Sequence, residues 1–135
     1  MNSCAFCDLA HQRLPARIVY QTETVICFLP KAPDTYGHTL IAPRQHVPDL
    51  YTASASLLGE LMAAAKLLAL HYQTRIQATG VNILHASGVA AQQSVPHFHL
   101  HLIPRFDHDG LNAWPAFPKA DFDLDGLLEK LRYGE

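Results

Sequence analysis

The sequence predicts a single α+β domain, residues 1–135, in which one long helix packs on an antiparallel sheet of about five strands. Only one stretch, residues 54–77, repeats apolar residues at intervals of three and four over several turns. The other apolar runs are short and rich in β-branched and aromatic residues, and polar or proline-containing segments separate them. The chain length fits one domain with its own core.

The first third of the chain predicts a short helix followed by three strands. Residues 4–11 form a helical turn that ends before the proline of Leu14-Pro15-Ala16. Residues 18–21 and 25–29 predict a hairpin, because a polar Thr-Glu-Thr segment separates two apolar runs. A loop over residues 30–37, with two prolines and a glycine, leads to a third strand over residues 38–43.

The long helix is expected to lie across the sheet. Ser54 or Ser56 can cap its first turn, and Gly80 is expected to end it. Its apolar positions share one face and are Leu57, Leu58, Leu61, Met62, Ala65, Leu68, Ala69 and Tyr72. The functional interpretation of this stripe is weak, because a core helix explains it fully.

The last third contains a fourth strand, a small-residue loop and a C-terminal extension. Residues 81–84 predict the fourth strand, and Ser87-Gly88 opens the loop that leads to the fifth. Residues 106–120 have little periodicity and predict a loop that covers the domain. Residues 123–133 predict an amphipathic helix with acidic residues first and basic residues last, as the helix dipole favours.

Composition excludes several classes of partner. Ten Lys and Arg residues oppose twelve Asp and Glu residues, so no positive excess exists to hold a nucleic-acid polymer or an anionic membrane. No apolar run approaches the roughly 18 residues that cross a bilayer, and no secretion signal begins the chain. We therefore expect a cytoplasmic protein.

The three cysteines differ in context. An odd count in a cytoplasmic protein argues against a disulfide framework. Cys27 lies inside an apolar strand, where a thiol behaves as a small hydrophobic group. Cys4 and Cys7 form a CxxC pair, and this spacing suits a zinc site, a redox pair or no function at all.

The strongest functional signal is the segment from Ser94 to Arg105. His97, His99 and His101 alternate with apolar residues, so in a strand all three imidazoles project from one face. Single histidines in strands usually pack or contact solvent. Three in register have no simple structural purpose, and this strand therefore predicts an active site.

This segment resembles the signature of the histidine triad (HIT) superfamily, His-φ-His-φ-His-φ-φ with φ apolar, at every position from His97 to Ile103. Residues 37–46 resemble the family's Gly-His strand with its trailing histidine, and residues 93–96 resemble the polar segment before the triad. The resemblance covers about residues 4–105 and leaves residues 106–135 as a C-terminal loop and helix.

The resemblance implies catalysis on phosphorus. In the family the middle histidine, here His99, is the nucleophile that forms a covalent nucleotidyl-histidine, and a neutral imidazole suits that chemistry. His101 would bind the phosphoryl group or the leaving group. Gln93 and Ser94 would donate hydrogen bonds to phosphate oxygens, although such a pair also occurs in ordinary turns. His38 would lie near the triad, or it is simply a core histidine.

The resemblance also implies a structural zinc ion, as in many bacterial members. Its ligands would be Cys4, Cys7, His46 and His97, a closed set of two thiolates and two imidazoles. The alternative is a catalytic metal held by the three triad histidines. That arrangement would leave the CxxC pair unexplained.

The expected activity is that of a nucleotide hydrolase or nucleotidyl transferase acting on nucleoside phosphoramidates, nucleoside monophosphate conjugates or dinucleoside polyphosphates. The alternatives are a zinc-stabilised nucleotide-binding module with little turnover and a three-histidine metallohydrolase. The family also implies a homodimer. Three positions depart from the family: Pro30 stands where an acidic residue or asparagine contacts ribose, Ala86 where a polar residue is common, and Gln92 where a glycine is common.

Overall fold

A computed structural model describes residues 4–134 and confirms the α+β class: a five-stranded antiparallel sheet carries one long helix on one face. A short N-terminal helix and a C-terminal helix complete the domain. The elements in chain order are α1 (Ala5–Ala10), β1 (Arg17–Gln21), β2 (Val25–Leu29), β3 (Thr39–Pro43), α2 (Ala55–Arg75), β4 (Gly80–Leu84), β5 (Leu100–Arg105) and α3 (Leu124–Leu131).

The sheet order is β1-β2-β3-β5-β4, so β5 lies between the third and fourth strands. The predicted hairpin of β1 and β2 is present. Leu40 of β3 pairs with His101 of β5, and Leu84 of β4 pairs with the same histidine from the other side. The histidine strand is therefore flanked on both sides, and the Gly-His strand is its direct neighbour.

Helix α2 begins as predicted and ends earlier than predicted. The Ser54 hydroxyl accepts a hydrogen bond from the Leu57 N–H at 3.1 Å, as an N-cap does. The helix ends at Arg75, and Gly80 instead begins β4, so the prediction that Gly80 ends the helix was wrong. The turn after the helix is made at Gln77, which has a φ of 58°.

No helix within residues 4–134 has the length and apolar content to cross a bilayer.

The two faces of the sheet bury different groups. The α2 face carries the larger core, to which Phe98, Leu100 and Leu102 contribute, and Cys27 is fully buried there. In α2 the predicted stripe needs one correction, because Met62 is half exposed and Ala64 is buried instead. The opposite face has a smaller core closed by α1, formed by Phe6, Ala10, Ile26, Phe28, Leu40 and Ala42.

The histidine strand is shorter than predicted. Its regular pairing begins at Leu100, so His97 and His99 precede the strand. Pro96 has no N–H for a ladder, and the Phe98 N–H donates instead to the Val47 carbonyl in the loop after β3. The alternation of faces nevertheless continues through this segment, because Phe98 packs against the α2 core while the rings of His97 and His99 contact Phe6 on the other face.

The C-terminal extension does not cover the domain, which corrects the expectation from sequence. Residues 106–120 are irregular, and the side chains of Trp114 and Phe117 are each 76% exposed. Helix α3 is capped by the Asp123 carboxylate and buries no residue against the rest of residues 4–134. Its Leu124, Leu128 and Leu131 are more than half exposed.

Candidate active site and metal cluster

Four histidines form a row on the sheet face opposite α2. The ring centroids of His99 and His101 lie 4.9 Å apart, and the His38 ring from the Gly-His segment stacks on His101 at 5.2 Å. His97 is fully buried, and His38 and His99 are at most 5% exposed. The fold therefore brings together the triad and the upstream histidine predicted from sequence.

His99 presents an unprotonated nitrogen away from its own backbone. Its Nδ1 lies 2.8 Å from the His97 carbonyl oxygen, which can only accept, so Nδ1 carries the proton. In the neutral ring the lone pair is then on Nε2. This is the tautomer that a histidine nucleophile needs.

A hydrogen-bond chain fixes the tautomers of His38 and His101. The Asp34 N–H donates to His38 Nδ1 at 3.2 Å, so the proton of the neutral His38 ring is on Nε2. His38 Nε2 lies 3.0 Å from His101 Nδ1 and donates to it. His101 therefore carries its proton on Nε2, where it is available to a ligand.

Burial keeps these rings neutral. It lowers the pKa of His38 and of His99 below the usual value. It also lowers the pKa of His101 to about 4, with further contributions from His99 and His38. At neutral pH the row therefore offers a ligand a lone pair on His99 Nε2 and, on the neighbouring ring, an N–H donor at His101 Nε2.

The four predicted metal ligands form a compact cluster. One donor atom from each of Cys4, Cys7, His46 and His97 lies within 4.8 Å of every other. The Nδ1 atoms of His46 and His97 are 3.3 Å apart, and three of the nitrogen–sulfur distances, from Cys4 to His97 and from Cys7 to both histidines, are 3.3–3.5 Å. Tetrahedral zinc, with bonds of about 2.05 Å to nitrogen and about 2.3 Å to sulfur, places two nitrogens about 3.4 Å apart and a nitrogen and a sulfur about 3.6 Å apart.

The surroundings of the cluster also suit a metal. His97 Nε2 donates to the Pro43 carbonyl at 2.8 Å, which leaves the Nδ1 lone pair facing the two cysteines. Cys4 caps α1 by accepting the Cys7 N–H, so both thiols sit on one turn. Burial and the neighbouring Cys4 raise the pKa of Cys7 to about 11, so the Cys7 thiol needs a nearby cation to become a thiolate at neutral pH. The donor set fits a structural zinc ion.

The expected phosphate-binding residues differ in availability. The Gln93 amide is fully used within the chain, because it accepts from the Gly88 N–H and donates to the carbonyls of Pro48 and Val95. Ser94 is exposed, and its hydroxyl has no hydrogen-bond partner in the described part of the chain. Gln93 thus shapes the loop, while the Ser94 hydroxyl is open to a ligand.

Three residues of the site were not predicted from sequence. Phe6 packs edge-on against both His97 and His99, at 5.6 and 5.0 Å between centroids. Asp34 orients His38 through its backbone. His85, just after β4, donates a hydrogen bond to the His99 carbonyl. Of these three residues, only His85 had a signal in the sequence, as a histidine that follows a predicted strand.

The departures from the family pattern have visible positions. Gln92 adopts a left-handed conformation with a φ of 67°, where glycine has no steric penalty, which explains why a glycine is common there. Pro30 directly follows β2 and has no side-chain donor or acceptor.

Comparisons with known proteins show which families and folds this chain resembles. The sequence model of the HIT domain family matches residues 11–108. The chain is 33% identical over 130 residues to an adenosine 5'-monophosphoramidase of Saccharomyces cerevisiae, covering 95% of this chain and 79% of that protein. It is 31% identical over 133 residues to an adenylylsulfatase of Arabidopsis thaliana, covering 96% and 66%. A crystal structure of a zinc-bound histidine triad family protein from Mycobacterium smegmatis matches with a TM-score of 0.79 at 34% identity, covering 82% and 81%.

Proposed function

The chain belongs to the histidine triad family, and we propose that it hydrolyses nucleoside phosphoramidates or related nucleoside monophosphate conjugates through a covalent nucleotidyl-His99. One observation carries the proposal: the Nδ1–H of His99 is held by the His97 carbonyl, so its lone pair is on Nε2, and the His99 ring centroid lies 4.9 Å from that of the His101 donor. The names of the yeast and plant relatives support the substrate class.

The reaction has two displacements. His99 Nε2 attacks phosphorus, a nitrogen–phosphorus bond forms as the bond to the leaving group breaks, and the leaving group takes up a proton from the solvent, which the water of the second step returns. Water then cleaves that bond, releases the nucleoside monophosphate and restores the neutral imidazole. The His101 Nε2–H and the Ser94 hydroxyl donate hydrogen bonds to the oxygens on which negative charge develops. His38 holds His101 in the donating tautomer.

A quench experiment tests the nucleophile. Adenosine 5'-phosphoramidate is mixed with the protein and quenched at high pH, where a histidine–phosphorus bond survives, and the adduct is mapped by mass spectrometry. We expect one nucleotide on His99, and we expect His99→Ala to lose at least about a thousandfold in turnover while still binding product. The matched control is His71→Ala, because His71 is an exposed histidine on α2.

Two outcomes distinguish the alternatives. Ligand binding without turnover in the unaltered protein would favour the binding module. Turnover that survives His99→Ala would favour a metal-bound hydroxide. The described geometry argues against the latter, since His97 Nδ1 faces the cysteines and His99 Nδ1 is occupied by a carbonyl, so the triad nitrogens do not converge on one point.

We propose that Cys4, Cys7, His46 and His97 hold one structural zinc ion that ties α1 to the triad segment. When bound, the ion would supply cross-linking rather than chemistry, because the four ligands leave no open position. Elemental analysis should find one zinc per chain, and Cys4→Ser should abolish it and lower the melting temperature. Cys27→Ala is the matched control, because Cys27 is fully buried and outside the cluster, and this variant should keep the metal. Protein purified without chelators that contains no zinc would contradict the proposal.

We propose a homodimer, because the chain exposes apolar groups that a partner would cover. These are the leucines of α3, Met62 and Leu70 of α2, and the edge strand β4, with Val81 and Ile83 partly exposed. Light scattering should give twice the 15.0 kDa chain mass, and a monomer at all concentrations would contradict this.

A cytoplasmic location fits a metal site that needs reduced cysteines.

A further inference from the structure

We infer that His85 is a positioning residue for His99, and that Ser87 holds His85 in the tautomer this role needs. The inference rests on the proposed role of His99 as nucleophile. His85 does not reach the reacting atoms. It acts on the backbone that carries them.

His85 binds the nucleophile's own carbonyl beyond the end of the sheet. The ladder between β4 and β5 stops at the pair Leu84 and His101, so His99 lies outside regular pairing. At that point the Nδ1–H of His85 donates to the His99 carbonyl at 2.9 Å. A side chain thus continues the hydrogen bonding that the strand has stopped providing.

The direction of this hydrogen bond is fixed by its neighbours. The Leu50 N–H donates to the Ser87 hydroxyl oxygen at 2.8 Å, and the Ser87 hydroxyl contacts His85 Nε2. Because the far end of the chain is a carbonyl, His85 carries its proton on Nδ1, and the Ser87 proton points to Nε2. Every donor in the chain Leu50, Ser87, His85 points toward His99.

The ring of His85 is also held in its plane. It stacks on Phe98, with 4.3 Å between centroids and 28° between planes, and Phe98 is almost fully buried. His85 therefore contacts two successive residues of the triad segment, the Phe98 ring and the His99 carbonyl. Its position cannot shift without moving the segment.

This matters because the His99 ring takes its orientation from the same short segment. The His97 carbonyl accepts the His99 Nδ1–H, and His97 itself is anchored to the Pro43 carbonyl. The segment is thus held at His97 on one side and at the His99 carbonyl by His85 on the other. If the second anchor is lost, the Nε2 lone pair is aimed less accurately, and misplacements of this kind reduce turnover more than binding.

Three variants separate the donor from the ring. His85→Phe keeps an aromatic ring on Phe98 and removes the hydrogen bond, and we expect kcat to fall about tenfold with KM unchanged, about the value of one hydrogen bond. His85→Asn keeps a short-armed N–H donor and should recover most of the loss. Ser87→Ala removes the hydroxyl that favours the Nδ1–H tautomer of His85, and it should lower kcat by about threefold. Leu68→Val, in the α2 core, is the control for lost stability and should leave kcat unchanged.

A second measurement does not depend on turnover. Long-range ¹H–¹⁵N spectra of the imidazoles report which ring nitrogen carries the proton. The unaltered protein should show Nδ1–H on both His85 and His99, and His85→Phe should shift the His99 ring ¹⁵N resonances, because the segment that holds its Nδ1–H against the His97 carbonyl has lost one anchor. An unaltered His99 spectrum together with full kcat in His85→Phe would overturn the inference. Nε2–H on His85 in the unaltered protein would also overturn it, whereas absence of a His99 adduct with these tautomers intact would count only against the proposed function.

Discussion

Phe6 should be the residue on which docking of α1 depends. The helix has six residues, too few to be stable alone, and it buries only Phe6 and Ala10. Phe6 is 8% exposed and packs edge-on against Phe28 at 5.4 Å as well as against the two histidines. Burial of about 200 Å² of a phenylalanine side chain at about 25 cal/mol/Å² gives about 5 kcal/mol, an upper bound because the unfolded chain is not fully extended.

We therefore expect Phe6→Ala to lower the free energy of unfolding by about 3–4 kcal/mol, with Phe6→Leu losing about 1 kcal/mol as the control that keeps the volume apolar. Urea denaturation in chelator measures this without any metal contribution. If α1 detaches while the sheet remains folded, the loss in urea will be smaller, and amide exchange of residues 8–11 will be accelerated instead. A loss below about 1 kcal/mol together with unchanged exchange would refute the reasoning.

Three further predictions concern stability around the site. Burial lowers the pKa of His101 to about 4, so below about pH 6.5 the unfolded chain binds more protons than the folded one. The contribution of His101 to stability should be complete above that pH and fall by up to about 1.4 kcal/mol per pH unit towards pH 4. The urea midpoint measured at a series of pH values should show this fall, and His101→Asn should flatten it. The Thr39 hydroxyl donates to the Gly37 carbonyl at 2.9 Å, so the Tyr72 hydroxyl is the donor in its 2.7 Å contact with the buried Thr39 hydroxyl. Tyr72→Phe should therefore cost about 1 kcal/mol, and Thr39→Val about 2 kcal/mol because it leaves the phenol without an acceptor. The double variant should cost less than the sum, and additive losses in thermal denaturation would contradict this. Gly37 has a φ of 85°, and a Cβ there would lie 2.8 Å from the Pro104 side chain, so Gly37→Ala should cost at least about 2 kcal/mol. Gly88 has a φ of 93° but open space around it, so Gly88→Ala should cost only the backbone strain of about 1 kcal/mol. Equal melting temperatures of the two variants would contradict the steric contribution at Gly37.

The fold class could be predicted from local sequence patterns, and the ligand cluster from the family resemblance. Alternation from His97 to Leu102 determines which side chains share a face, and this holds although the regular strand begins only at Leu100. The pairing of Cys4 and Cys7 with two distant histidines came from the family resemblance, and the donor atoms do lie together. Such properties survive small errors in element boundaries.

The finer properties of the site could not be predicted, because they depend on contacts between distant segments. One acceptor for the Gln93 side-chain amide is the Pro48 carbonyl, 45 residues away, and only the folded chain shows that this amide is fully used. The exposure of Trp114 was missed for a related reason. An aromatic residue in an aperiodic segment is consistent with covering this chain or a second copy, and no local pattern distinguishes them.

The tautomers explain why we propose different roles for His97 and His99, which have identical side chains two residues apart. Each buried histidine has one nitrogen committed to the backbone: Nε2 of His97 to the Pro43 carbonyl, Nδ1 of His99 to the His97 carbonyl and Nδ1 of His38 to the Asp34 N–H. Because burial keeps the rings neutral, committing one nitrogen determines the state of the other. His97 is thereby left with a lone pair on Nδ1, facing the cysteines, and His99 with one on Nε2. The backbone around the triad, rather than the histidines themselves, therefore leaves one ring suited to binding a metal and the next suited to attack on phosphorus.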